Sequence, residues 1–179
     1  PGSKMYKSPR PFGLFELGRR LKAGVSVKRG SDNLRYMFII TSNSYKDRED
    51  EAMATKALKR YVEQSWKGDK FIAEQPYYYW HDDKLPKLGD IVWADMNGPF
   101  LTEVAREADN AMAKKVWDYI EANPKGWGTS HGFNYPVSKQ KDGVYHEIEK
   151  FETSLLPLWA AANPYTLSTV IGEKSMGSS

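Results

Sequence analysis

The feature that most constrains the fold of this chain is a series of short strand-like segments, interrupted by two helical patterns. The run from Leu34 to Ser44 is apolar and β-branched, which predicts a buried strand. Further strand-like segments follow, bounded by turn residues: KFIAEQPYYYWHDD, DIVWADM, WGTSHGFNYPV, GVYHEIEKFETSLLPLW and NPYTLSTVI. This order of elements predicts an α+β fold, a mainly antiparallel β-barrel with the helices packed outside it.

Two stretches have apolar residues at helical spacing. The first has an Asp-rich start and predicts a helix from about Arg48 to Trp66, ended by Gly68. The segment that begins at Phe100 also becomes helical, and its apolar residues between 108 and 122 share one face before the stop signals at 123–126.

The length of 179 residues suits one folded domain, which we expect over residues 34–170. Residues 1–33 are rich in Gly, Pro, Lys and Arg, have little periodicity and predict a separate N-terminal segment. Its first three residues, Pro-Gly-Ser, are typical of the remnant left when a tag is removed. Residues 171–179 are small and polar, which predicts a flexible tail.

Charge and composition exclude several classes of function. The net charge is +3, with Lys and Arg scattered among Asp and Glu, so no basic stripe indicates a nucleic-acid groove. The chain has no Cys, which excludes disulfides, thiolate nucleophiles and Cys-based zinc sites and suits a cytoplasmic protein. No apolar run approaches the roughly 20 residues of a membrane helix, and no signal-peptide pattern opens the chain. No spacing of Asp, Glu or His indicates a metal, and we expect no cofactor.

Ser130 is a candidate nucleophile because Gly128 and Gly132 flank it and leave room for a substrate backbone to approach. Its neighbour His131 cannot easily act as its base, because adjacent residues of an extended strand point to opposite faces. The segment FNYPV that follows is extended rather than helical, which argues against a nucleophile elbow. By residue type alone, a serine between glycines is as readily a turn residue.

His81 and Glu152 are candidates for the base and the acid. His81 follows the aromatic block 77–80 and precedes two aspartates, where an imidazole can serve as general base near neutral pH. A solvated surface turn is the alternative. The chain turns apolar directly after Glu152, which predicts a partly buried acid, and buried acids are usually paired.

The order of three motifs resembles that of the prohead, or capsid-maturation, proteases of tailed phages, which share a fold with the herpesvirus assembly proteases. The motifs are WHDDKLPKLGDIV with His81-Asp82 and Gly89, GWGTSHGF with Ser130 to Phe133, and KFETSLLPLWAAANPYT with Glu152 to Pro157 and Ala162-Asn163-Pro164. The resemblance spans roughly Met37 to Tyr165.

The resemblance implies a serine endopeptidase with Ser130 as nucleophile, His81 as general base and Glu152 as third member. His146 competes for the third place, because the herpesvirus relatives use a second His. His131 stands where the family commonly has an apolar residue. The implied substrates are the phage scaffold and major capsid proteins, cut inside the procapsid in the cytoplasm of the bacterial host. The resemblance leaves a homodimer or higher oligomer open, and a catalytically silent scaffold- or capsid-binding module of the same fold is the alternative.

Overall fold

The computed structural model describes residues 32–43, 52–123, 125–136, 138, 140–157, 160 and 167–171. Its helices are α1 (Thr55–Gln64) and α2 (Ala111–Ala122). Its strands are β1 (Tyr36–Asn43), β2 (Ala52–Met53), β3 (Trp66–Lys67), β4 (Lys70–Phe71), β5 (Gln75–Tyr79), β6 (Gly89–Asn97), β7 (Phe100–Glu107), β8 (Trp127–Asn134), β9 (Gln140–Lys141), β10 (Val144–Tyr145), β11 (Glu149–Pro157) and β12 (Leu167–Ile171).

Seven of these strands form one sheet in the order β12-β1-β7-β6-β5-β11-β8. Neighbouring strands are antiparallel except β5 and β11, which are parallel and are joined by the long stretch of chain between them. The sheet curls into a half-barrel that does not close, because β12 and β8 stand at its two ends without pairing in the described residues. The predicted α+β class, with mostly strands and two helices, is confirmed. The prediction of a barrel is wrong, because the sheet does not close.

The strand expected over Leu34 to Ser44 is β1, but both helices begin later than their sequence patterns indicate. Residues 52–53 pair with β10 as a strand, and α1 starts after Ala54, which offers no side-chain cap. Residues 44–51 lie outside the described residues. The segment Phe100–Glu107 is β7 rather than part of a helix. It is buried on both faces, so its apolar pattern lacks the alternation that marks a half-exposed strand. The Asn110 side chain caps α2 by accepting a hydrogen bond from the Ala113 N–H at 2.8 Å.

Directly opposed residues of a ladder share a face, so the registers sort the side chains into two sets. The Glu103 face includes Ile39, Tyr77, Thr153 and His131. Both helices pack on this face: α2 buries Trp117 and Ile120 beside Met37 and Ile91, and α1 buries Leu58 and Val62 beside Ala94 and Leu101. The opposite face, here called the Glu152 face, carries Ser130, Ser154 and Gly132.

A buried arginine fixes α2 to the sheet. Arg35 is 1% exposed and bonds the carboxylate of Glu107 at the end of β7. The same guanidinium reaches Asp118 at 2.6 Å and Glu121 at 2.9 Å on α2. These bonds raise the pKa of Arg35 against the effect of its burial, so the side chain stays charged.

The expected N-terminal segment, apart from residues 32–33, and the expected tail from 172 onward lie outside the described residues. Within the described residues, neither helix is long and apolar enough to cross a membrane.

Candidate functional site

The site begins at the turn that follows β5. Trp80 and His81 have φ angles of 51° and 58°, in the left-handed region that residues other than Gly rarely adopt. Two hydrogen bonds to β11 hold this turn: Trp80 N–H donates to the Leu155 carbonyl at 2.9 Å, and His81 N–H donates to Ser154 Oγ at 3.0 Å. Such strain persists where the surroundings impose it, and it is common at functional sites.

The turn brings the His81 ring onto a buried acid. His81 Nδ1 lies 2.5 Å from Glu152 Oε1, although the two residues are 71 positions apart in the chain. Glu152 is 5% exposed, and its second oxygen accepts a hydrogen bond from Ser154 Oγ at 2.7 Å. The hydrogen bond to Glu152 raises the pKa of His81, and this outweighs the opposing effect of burial. The paired, buried acid expected at position 152 is therefore present.

His146, the competing third member, lies between β10 and β11 and is half-buried. No hydrogen bond or ion pair between described residues joins His146 to His81. The structure thus brings Glu152 to the His81 ring and does not bring His146 to it.

Ser130 lies on the same face as this pair. On β8 it stands directly opposite Ser154 of β11, and Gly132 stands opposite Glu152. Ser130 is half-buried, while Ser154 is fully buried and uses its hydroxyl in two hydrogen bonds. Of these two serines, Ser130 is the one that a substrate can reach.

The hydrogen bond expected between Ser130 and His81 is absent from the hydrogen bonds of the described residues. Within that same set, the His81 ring bonds through Nδ1 only. Nε2 is the ring nitrogen that remains for a proton from a serine hydroxyl. In structures without substrate, such catalytic hydrogen bonds are often long.

Gly132 makes room for the acid. A Cβ at this position would lie 2.6 Å from Glu152 Oε1 and 2.8 Å from Glu152 Cγ and Phe151 Cε2. Any side chain here would displace the carboxylate that contacts His81. Gly128 and Gly132 both lie within the extended strand β8, so the sequence GTSHG forms no strand-to-helix elbow.

His131 belongs to the other face, as its position beside Ser130 predicts. It stands opposite Thr153 and stacks on the Phe133 ring at a centroid distance of 5.0 Å. Its Nδ1 is buried and has no hydrogen-bond partner in the described part of the chain. Burial, with the nearby charges of Lys150 and His81, lowers the pKa of His131 to about 3. The ring is neutral and is separated by the sheet from the site that Ser130 faces.

A β-bulge at Phe151 separates two charges that would otherwise share a face. Lys150 pairs with Phe133 and Glu152 pairs with Gly132, so one extra residue is inserted on β11. Lys150 therefore projects to the Glu103 face, where its Nζ lies 3.1 Å from Glu103 Oε2 with both side chains fully buried. Glu152, two residues later, projects to the face of Ser130.

Both members of the ion pair on the Glu103 face have further hydrogen bonds. Glu103 accepts hydrogen bonds from three hydroxyls, those of Thr41, Tyr61 and Thr153. Lys150 also donates to Gln75 Oε1 at 2.7 Å. Burial lowers the pKa of Lys150, and the partner carboxylate of Glu103 opposes this. Buried charges need such partners. The network links β11 to β1 and β7 on the face of the sheet opposite the site.

Exposed aromatic rings flank the site on two sides. Trp80, next to His81, is 44% exposed, and Phe151, next to Glu152, is 51% exposed. The Phe151 ring edge lies against Gly132, two residues from Ser130. A substrate that reaches Ser130 meets apolar surface as well as the polar pair.

We compared the chain with protein-family models, with curated proteins and with solved structures. None of the three comparisons found a match. Among the described residues, no group of three His, Asp or Glu side chains could hold a metal ion.

Sequence reasoning missed Ser154 and the pair Lys150–Glu103. The alternation Glu-x-Ser in the strand-like KFETS segment could have placed Ser154 beside Glu152, because residues two apart on a strand share a face. No comparable sequence pattern indicates that Lys150 pairs with Glu103. Without the bulge, the same alternation would put Lys150 on the face of Glu152.

Proposed function

We propose that the chain is a serine endopeptidase of the prohead protease type, with Ser130 as nucleophile, His81 as general base and Glu152 as the acid that orients His81. The observation that carries this proposal is the 2.5 Å contact between His81 Nδ1 and the buried Glu152, made on the face of the sheet that carries Ser130. A base oriented by a carboxylate, with a reachable serine on the same face, is the arrangement that acyl transfer needs.

In the proposed reaction, His81 Nε2 takes the proton of Ser130 Oγ as that oxygen attacks the scissile carbonyl carbon. Glu152 holds the Nδ1–H and stabilises the imidazolium that forms. The imidazolium then gives its proton to the leaving amine as the C–N bond breaks, which leaves an acyl group on Ser130. A water molecule, deprotonated by His81, releases the acyl group and restores the serine.

A fluorophosphonate probe followed by mass spectrometry tests this chemistry. We expect a single adduct on Ser130, which disappears in Ser130→Ala and in His81→Ala. His146→Ala is the matched control, and it should label at nearly the rate of the unmodified chain. A chain that remains folded and unlabelled over a wide pH range would overturn the proposal.

The proposed substrates are the scaffold and major capsid proteins of a tailed phage, cut inside the procapsid in the bacterial cytoplasm. The resemblance of the three motifs supports these substrates. The curled, mainly antiparallel sheet is compatible with the herpesvirus-protease-like fold that the resemblance implies. Co-expression with the scaffold and major capsid proteins of a tailed phage is the test. New N-termini should appear with the unmodified chain and be absent with Ser130→Ala.

One observation favours a second candidate, a catalytically silent scaffold- or capsid-binding module. No hydrogen bond between described residues joins Ser130 to His81. If the chain is such a module, it should bind scaffold or capsid protein without cleaving it. Ser130→Ala should then leave both binding and assembly unchanged.

A further inference from the structure

Ser154 joins the two parts of the candidate base–acid pair into one ring of contacts. Its Oγ accepts the His81 N–H at 3.0 Å and donates to Glu152 Oε2 at 2.7 Å, while the other carboxylate oxygen contacts the His81 ring. The His81 backbone, the Ser154 hydroxyl, the Glu152 carboxylate and the His81 imidazole thus form a closed ring of contacts. Ser154 is fully buried, so water cannot replace the hydroxyl easily.

We propose that Ser154 is a positioning residue for the His81–Glu152 pair, an inference that rests on the peptidase function proposed above. A carboxylate can rotate about its last bond, and one donor on Oε2 leaves Oε1 for the imidazole. The same hydroxyl holds His81 in its left-handed backbone conformation, which determines where the ring lies. Ser154 acts through these two residues and does not touch the substrate.

The strand pairing explains why a hydroxyl serves at this position. Ser154 stands between β5 and β8, opposite Tyr78 on one side and Ser130 on the other. The shortest hydroxyl side chain fills this place without reaching the site surface. Ala would leave the Glu152 Oε2 and the His81 N–H buried without this partner, and one displaced catalytic group can lower a rate by about 10²-fold.

The test is the rate at which a fluorophosphonate labels Ser130 between pH 5 and pH 9. In the unmodified chain the rate should rise as His81 loses its proton, with a midpoint above the ordinary histidine value of about 6.5 because Glu152 raises the pKa of His81. For Ser154→Ala we expect the plateau rate to fall by about 10- to 100-fold and the midpoint to move toward 6.5, because the ring loses its fixed carboxylate.

Ser65→Ala is the matched control. It also removes a buried serine hydroxyl, one that donates to the Tyr61 carbonyl at the end of α1, and it should leave the rate and midpoint unchanged. If Ser154→Ala does not fold, Ser154→Cys keeps the side-chain shape with a weaker donor and should shift both quantities in the same direction.

A Ser154 variant that loses thermal stability but keeps the plateau rate and the midpoint would overturn this inference and leave the peptidase proposal standing. An unmodified chain that never labels at Ser130 would overturn the peptidase proposal itself.

Discussion

At the scale of single residues, the site consists of few groups, each fixed by one or two neighbours. Glu152 shows this most clearly, because one of its oxygens contacts His81 and the other accepts the hydroxyl of Ser154. Its charge is buried, so water screens it little and its effect on the imidazole is correspondingly strong.

The choice between Glu152 and His146 as third member is testable. We expect Glu152→Gln to lower kcat by about 10²- to 10⁴-fold, because an amide cannot stabilise the imidazolium as a carboxylate does. His146→Ala should lower kcat much less. Steady-state kinetics on a cleaved capsid or scaffold peptide measures both. The reverse ranking would show that His146 is the partner of His81.

Gly132 gives a second prediction at this scale. In Gly132→Ala the new methyl carbon would lie 2.6 Å from Glu152 Oε1, so the carboxylate must move away from His81. We expect fluorophosphonate labelling of Ser130 to fall by about 10-fold or more, since small displacements in a catalytic group have large effects on rate.

Gly68→Ala is the control for this change. That position, in the turn between β3 and β4, has open space but a φ of 63°, so alanine there strains the backbone without a steric clash. It should reduce the melting temperature and keep the labelling rate. Equal labelling of both variants would show that Gly132 is not needed by the acid.

The candidate residues at 81, 130 and 152 could be named from the sequence because their types and order carry chemical meaning. The alternation Glu-x-Ser could have placed Ser154 beside Glu152. The bond from the His81 N–H to Ser154 could not be predicted, because it depends on the parallel pairing of β5 with β11, which no local pattern predicts.

At the scale of elements, the bulge in β11 determines which face each charge reaches. It places Lys150 and Glu152 on opposite sides of the sheet, although side chains two positions apart on a regular strand share a face. Bulges have weak sequence signals. β7 lacks a strand signal for a different reason: it is buried on both faces, so its side chains show no alternation between buried and exposed positions.

The buried ion pair Lys150–Glu103 gives a prediction at the scale of elements. Lys150→Met should lower the free energy of unfolding by about 3–5 kcal/mol, because it leaves the fully buried Glu103 carboxylate without its cation. The double variant Lys150→Met with Glu103→Gln should lose less than the two single changes added together. Denaturant unfolding curves measure all three.

The exposed pair Lys87–Asp90 is the comparison. Its atoms are 2.8 Å apart, yet the Lys87 side chain is 47% exposed. Lys87→Met should change the unfolding free energy by less than about 1 kcal/mol. A loss for Lys150→Met as small as that for Lys87→Met would contradict the structural role given to the buried pair.

At the scale of the whole molecule, two histidines give stability opposite dependences on pH. His81 has a raised pKa in the folded chain, so its contribution is fully present below about pH 6.5 and is lost as pH rises through the folded value. His131 has a pKa lowered to about 3 in the folded chain. Between that value and about pH 6.5, His131 is therefore protonated in the unfolded chain and neutral in the folded chain. Its contribution is present above about pH 6.5 and is lost as pH falls toward 3.

We therefore expect His131→Leu to flatten the loss of stability on acidification. Between pH 6.5 and 5, where carboxylates titrate little, the free energy of unfolding should fall less steeply in the variant than in the unmodified chain. Urea unfolding at closely spaced pH values gives both slopes. Identical slopes would mean that His131 takes up a proton without unfolding.

The sequence predicted the α+β class and the abundance of strands, because apolar runs and turn residues are local signals. It did not predict that the sheet would remain open. Closure depends on whether strands far apart in the chain, such as β8 and β12, pair with each other. Long-range pairing has no counterpart in a short window of residues.

The open half-barrel has a mechanical consequence for the site. β11, which carries Glu152, is paired with a strand on each side, and the His81 N–H bonds to Ser154 of β11, whereas β8 pairs in the described residues with β11 alone. The base and the acid therefore belong to inner strands of the sheet, and the nucleophile belongs to an end strand. A shift of β8 along β11 would move Ser130 relative to His81 while the pairing of β5, β6 and β7 stays unchanged.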